Sequence, residues 1–525
     1  MISLRKMDLR PIPFRGLPIL FYLISGMVLF SADASGGDAL SLSMSEAVEI
    51  GMKQNRKMRE AAERLLASES SVEGEQAKYR PKHFLEAESA RTSQEGGAIQ
   101  SGTPSLPSLI TPLTAPQADH TRMDSLITRY RVKEELLLPE KIGGRLTFDF
   151  NLEGGKQEIN PVTRSDPYVL GSKTSLTYKQ PLTRAGRIAE SVTLTNATWA
   201  WEQAKQQYRQ TEEQVIFEIL TAYSEWLKAR KTTEVAREAV KQTEQQVESA
   251  HVQVRLGVLA EVELLKMKVQ ISLDENAVIE AEKGEETVHE LLRNGLGLAR
   301  GTQLHPTTLP SFQPVELDSK KLQDLALVAR PEIQILKVQQ EIGALVIETA
   351  KSLDDPFLTV AGAYGRQGSE GNLEDAGRNF TRGKQEQWAI SVMATFPLSD
   401  GGVTKAATRK AGTERRASAI ALEALQEDIA VEIEETVRAV ESAERRFVTT
   451  ESSLKVAEEV LQIDQFRLSR GQITATDILR SQLSLFQLKQ GLNNALLDHY
   501  LAQIRLYKAT GMMREAVKTL QGSQK

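Results

Sequence analysis

The sequence predicts a mixed α/β membrane protein built from a duplicated unit, each half running helix, strands, very long helix, turn and second helix. Strands from several chains are expected to share one β-barrel, continued by a long helical cylinder. Three observations predict this. Residues 255–297 overlay residues 469–511, so that Gly257 matches Gly471, Leu259 matches Ile473, Glu263 matches Asp477 and Gly297 matches Gly511, every pair at the same offset in numbering (471 − 257 = 511 − 297). From Ile188 to Val254 neither Pro nor Gly interrupts a chain rich in Ala, Glu, Gln and Lys. Between the helical stretches, short segments alternate apolar and polar residues with period two.

In chain order, Arg5, Lys6, Arg10 and Arg15 precede an apolar run over 16–32 and the small residues Ala32-Asp33-Ala34, which predicts a signal peptide over residues 1–34. No later stretch is apolar enough for a transmembrane helix, so entry into a bilayer requires a closed barrel, which satisfies every backbone polar group. The first repeat is expected over 35–314. Its opening helix, Leu42 to Met58, resembles Ser319 to Ile333, whereas Pro181-Leu182 before Gly186 matches Pro397-Leu398 before Gly402. The offset of the first match (333 − 58) exceeds that of the second (397 − 181), so the first half carries roughly 60 extra residues between those two landmarks. They include Thr103 to Ala118, rich in Ser, Thr and Pro, expected as a surface loop.

Leu146, Phe148, Phe150 and Leu152 alternate with Arg145, Thr147, Asp149 and Asn151, giving a strand with one apolar face. His83 to Ala90, Arg129 to Leu138 and Ser172 to Gln180 are weaker strands of the same kind. The long helix follows, with a coiled-coil seam through Val215, Ile219, Tyr223 and Trp226 and through Val240, Val247 and Val254 at intervals of seven. At 1.5 Å per residue it would reach about 100 Å, far beyond one globular core. The second repeat, 315–511, has strands at Pro356 to Tyr364 and at Trp388, Ile390, Val392 and Phe396, and a long helix from Val403 to Leu468. Residues 512–525 are expected as a flexible tail.

Composition narrows the chemistry. With 65 Lys plus Arg against 70 Asp plus Glu, the net charge of −5 does not suggest nucleic acid as a partner. The absence of Cys excludes a disulfide framework and a thiolate nucleophile, and the six His are scattered. No metal, cofactor or catalytic residue is expected, and the chain does not read as an enzyme. Two strands per half give four per chain, or somewhat more if the extra alternating stretches pair. Barrels need about eight strands or more to close, so several copies must contribute to one barrel.

These residues carry a resemblance to the TolC-like outer-membrane efflux proteins. It rests on the duplicated element order, Gln180-Pro181-Leu182 before Gly186, Phe396-Pro397-Leu398 before Gly402, and the turns at Gly257 and Gly471. The resemblance implies a homotrimer with a twelve-stranded barrel in the outer membrane, in contact with its lipid, and a helical tunnel crossing the periplasm. Its partners would be a periplasmic adaptor (membrane fusion) protein and an inner-membrane pump, in an efflux or type I secretion system.

At the second turn, Thr474 and Asp477 have capping-box spacing, which by itself explains both residues. The resemblance adds a gate role for Glu263 and Asp477, with Arg480 standing where the best-known pattern has a second acid. It also assigns adaptor contact to Arg255, Leu256, Gly257 and Leu259 and to Arg470, Gly471 and Ile473. The alternative is that Leu256, Leu259 and Ile473 only staple adjacent helices. A rival reading of the whole chain is a periplasmic coiled-coil scaffold or adaptor component with paired helices and no barrel.

Overall fold

The computed structural model describes residues 40–95, 122–138, 143–160, 169–257, 259–307, 310–315, 317–370, 386–470 and 472–522. The expected leader over 1–34, the segment 103–118 and Gly471 lie outside them.

Each half opens on two helices rather than the single one expected. In the first half, α1 (Met44–Gln54) and α2 (Arg56–Ala77) meet at Asn55, whose side chain accepts from the N–H groups of Lys57 and Met58 and so starts a new helix. In the second half, α5 (Ser319–Ala329) and α6 (Pro331–Ser352) break at Arg330, because Pro331 has no N–H to continue the ladder and fits the first helical position. The long helices are α3 (Arg184–Arg255), of 72 residues, and α7 (Val403–Ser469), of 67. Each returns through a 36-residue helix, α4 (Glu261–Leu296) and α8 (Ala475–Thr510). At 1.5 Å per residue α3 is about 108 Å long. β1 (Leu40–Leu42) pairs in parallel with β6 (Leu304–Pro306).

The duplication seen in the sequence is physical. Gly297 and Gly511, matched in the overlay, cap α4 and α8 in left-handed conformations, with φ of 77° and 71°. A Cβ on Gly297 would stand 2.6 Å from the Gln54 carbonyl oxygen, and one on Gly511 would stand 3.1 Å from the Arg330 backbone. Each returning helix thus presses its glycine end onto the helix break of its own half.

Burial follows the seams. Val215, Ile216, Ile219, Leu220, Tyr223, Trp226 and Leu227 of α3 form one core with α1, Leu292 and Leu296 of α4, and Leu497 and Leu501 of α8. Ile429, Ile433, Val437 and Val440 of α7 form a second with Ala326 and Ile333. The flexible tail expected over 512–525 is corrected: α9 (Met513–Gly522) buries Met513 and Ala516, and Arg514 donates to Glu212 at 2.8 Å. Met513, Ala516 and Val517 recur at helical spacing, and Met513 and Val517 complete the first core, a signal hidden by the glycine that ends α8.

The strands form one antiparallel sheet in the order β2 (Lys82–Glu95), β3 (Arg122–Leu137), β4 (Arg145–Asn160), β5 (Val169–Pro181), β7 (Phe357–Glu370) and β8 (Glu386–Thr395). Four strands come from the first half and two from the second. The count of four per chain, on which a twelve-stranded barrel of three copies depends, is therefore corrected to six. Among the described residues β2 and β8 are the two open edges. Beneath the sheet, α2 packs on α3, α3 on α6 and α6 on α7, the same order as the strands they join.

Candidate functional site

The register of the sheet separates two chemistries. Phe148 of β4 faces Glu134 of β3 and Leu176 of β5, Leu176 faces Tyr364 of β7, and Tyr364 faces Trp388 of β8. Following these pairs, Leu146, Phe148, Phe150 and Leu152 share one face with Leu85, Tyr130, Val132, Leu176, Tyr364, Trp388, Ile390 and Val392. The two apolar sets predicted independently in the two halves thus form a single surface. Much of it is bare: Leu85 is 76% exposed, Trp388 76%, Ile390 72% and Val392 65%. Phe396 lies one residue beyond the end of β8 and is not part of the strand face.

The opposite face is polar and crossed by ion pairs. Arg129 reaches Glu88 on β2 at 3.3 Å and Glu153 on β4 at 3.0 Å. Arg131 reaches Glu86 on β2 at 3.6 Å and also pairs with Asp149 on β4. Lys133 pairs with Glu135 along β3. One face apolar and the other charged is what a strand needs between lipid and a water-filled lumen. A scaffold of paired helices alone does not describe this chain, which carries a six-stranded sheet.

At the far end of the long helices, Ala250, Leu264, Met267, Leu461, Ile478 and Leu485 form a third core that joins both helical hairpins. The two turns are therefore held together. In the first, Leu256 caps α3, Gly257 is left-handed (φ 72°), and Ala260 starts α4 without a side-chain cap. Leu259 packs on the third core, so stapling is part of its role. Arg255 is exposed, and Leu256 is 72% exposed. In the second turn, Thr474 and Asp477 make the reciprocal capping box, with the Thr474 N–H donating to Asp477 Oδ2 at 3.0 Å. Arg470 lies over the Phe466 ring at 4.1 Å, and Ile473 is half-buried.

The gate candidates differ in setting. Asp477 is exposed, and the Thr474 hydroxyl, its backbone N–H and the nearby Arg480 charge hold its carboxyl below the usual range, so it stays ionised. Glu263 is mostly covered: Lys266 Nζ donates to its Oε1 at 2.7 Å, and its Oε2 is buried without a hydrogen-bond partner. Among the described residues no hydrogen bond or ion pair joins Glu263 to Asp477. Sequence reasoning misses Lys266, although the overlay that matches Glu263 with Asp477 also matches Lys266 with Arg480. Each tip acid thus has a basic residue three positions on.

Midway along the bundle, Lys57, Glu213, Arg330, Glu432 and Lys508 line a half-open cavity. Burial, with Glu332 and Glu212 adding to it, pushes the Glu213 carboxyl up to about 7 against the pull of Arg209 and Arg330. The folded chain then holds a proton that the unfolded chain releases above the ordinary value of 4.5. Stability therefore falls as pH rises between 4.5 and about 7. Glu213→Gln is expected to stabilise the protein at pH 8 by on the order of 1–2 kcal/mol, allowing for partial exposure, with the gap closing by pH 5. Thermal unfolding at the two pH values measures this.

Comparison with known proteins agrees with this geometry. The sequence profile described as "Outer membrane efflux protein" matches residues 146–297 and 322–512. The outer membrane protein TolC of Vibrio cholerae is 23% identical over 338 residues, covering 62% of this chain and 74% of that relative. The alkaline protease secretion protein AprF of Pseudomonas aeruginosa is 21% identical, covering 59% of this chain and 64% of its own length. Among solved structures, the outer membrane protein VceC of Vibrio cholerae superposes with a TM-score of 0.62 at 15% identity, covering 89% of this chain and 96% of that one, a likeness of fold.

Proposed function

Because this chain belongs to the outer membrane efflux protein family, transport channels of the outer membrane rather than enzymes, we propose that three copies assemble into an exit duct of a tripartite efflux or type I secretion system. The observation that carries this is the sheet, apolar on one face, charged on the other and open at both edges. A lone copy in a bilayer leaves the unpaired backbone groups of both edges and the charged face in contact with hydrocarbon, which six strands cannot avoid by closing on themselves.

The helices repeat the pattern. Val262, Leu265, Val269 and Leu273 on α4 and Val456, Val460 and Ile463 on α7 are exposed apolar stripes, suited to packing against neighbouring copies. The tips then lie at the periplasmic end, where Leu256 with Arg255 and Arg470 presents an apolar and basic surface to an adaptor bound to an inner-membrane pump. Related proteins include one named for protease secretion, so both efflux and secretion remain within this function.

In the ring, Asp477 and Arg480 from each copy face the tunnel mouth as near-neutral pairs. Asp477→Asn leaves Arg480 uncompensated in every copy, so the reversal potential across a salt gradient in a planar bilayer is expected to move toward anion preference. Traces indistinguishable from wild type contradict the gate role.

A further inference from the structure

The second half sends one hairpin into the sheet, β7–β8, and the first half sends two, β2–β3 and β4–β5. Resting on the trimeric reading above, we infer that the ring closes as an eighteen-stranded barrel, in which the extra hairpin of each copy opens the membrane end as wide as the helical tunnel. The tips, and not the barrel, then set the size of what passes.

Four features support this. First, the extra strands have the wall's own chemistry: Leu85 on β2 and Tyr130 and Val132 on β3 continue the apolar face. Second, Arg129 and Arg131 of β3 each bind a carboxylate on β2 and another on β4, fastening β2 into the wall on its polar side. A hairpin folded out as a flap would need neither.

Third, direction permits closure. β2 leaves the helical body after α2, and β8 returns to it before α7. Placing β2 of one copy beside β8 of the next is therefore antiparallel, like every other pair in the sheet, and the total is even. β8 is exposed along its whole length, as a strand awaiting a partner would be.

Fourth, the circumferences agree. Strands about 4.8 Å apart and tilted by about 40° each take about 6.3 Å of the ring, so eighteen span about 113 Å and twelve about 75 Å. Below the sheet each copy contributes four helices side by side, α2, α3, α6 and α7. Twelve helices about 9.5 Å apart span about 114 Å. Eighteen strands therefore sit on this helical ring without taper, with about twice the cross-section that twelve would enclose.

Electron cryomicroscopy of the full-length particle in detergent, with strands counted in cross-section, tests this. Eighteen strands around a threefold axis are expected. Twelve strands around a threefold axis would overturn the inference and leave the proposed trimeric duct standing, whereas a particle without a ring would overturn both. Since the chain has no Cys, engineered pairs give a second readout. Leu85→Cys combined in turn with Ile390→Cys, Val392→Cys or Ala394→Cys is expected to yield an oxidised trimer ladder in at least one pair. A ladder from Phe148→Cys with those same partners, and none from Leu85→Cys, would make β4 the edge strand and overturn the count.

Discussion

Ile390→Lys is expected to abolish the assembled outer-membrane particle, while Ser391→Lys, one residue along, leaves it intact. Ile390 lies on the apolar face of β8 between Trp388 and Val392 and is 72% exposed in the single chain. In the proposed ring that exposure is to lipid. A lysine on the lipid face costs about 2–4 kcal/mol near the bilayer midplane, and three copies would bring this to about 6–12 kcal/mol per particle. Ser391 points to the polar face with Arg129, Arg131 and Asp149, where an added ammonium meets water and carboxylates. Both variants keep the same backbone and β-edge, so the comparison isolates the face. The readout is the amount of heat-modifiable oligomer in the outer-membrane fraction. Equal amounts from both variants would show that the apolar face is not turned to lipid.

Trp226→Ala is expected to produce the largest loss of stability within a single chain. The indole is 1% exposed, stands edge-on to Tyr223 at 5.6 Å and lies 5.7 Å from His289. It joins α3 to α4 inside the core that also holds residues of α1, α2, α8 and α9. Removing a buried Trp side chain costs about 3–5 kcal/mol, because a region tied down by six helices collapses poorly into the cavity. Tyr223→Phe next to it is expected to cost only about 1 kcal/mol. Its hydroxyl donates to the Leu42 carbonyl at 2.7 Å, but that oxygen also accepts from the Thr307 N–H at 3.0 Å and is not orphaned. Chemical or thermal unfolding of the detergent-solubilised protein ranks the two, and a Tyr223→Phe loss equal to that of Trp226→Ala would contradict the packing account.

Much of this architecture was legible in the sequence because its signals are periodic and local. Uninterrupted seams at spacings of three, four and seven gave the long helices, and alternation placed every strand of the large sheet. The constant offset between the halves survived because Gly297 and Gly511 meet the same steric demand in each. What escaped depends on contacts distant in sequence. That Phe148 and Trp388 share a face follows only from the register running through Leu176 and Tyr364. The weak alternation of Arg129 to Leu138 hides its partners, since Arg129 and Arg131 are fixed by carboxylates on two other strands. Asn55 reads as an ordinary polar residue until its backbone is seen ending one helix and its side chain starting the next, with its amide donating to the Gly295 carbonyl at 2.7 Å. At the tips the capping box was visible from spacing alone, whereas the pairing of Glu263 with Lys266 needed the repeat applied to the base as well as to the acid.

The six strands of the sheet among the described residues are too few to enclose water across a membrane, and in the proposed assembly three copies together do. Native mass spectrometry of the particle released intact from detergent puts this to the test. A single dominant species of three chains is expected, falling to single chains only when the sheet is unfolded. A stable species of one chain that conducts ions in a planar bilayer would contradict the shared barrel.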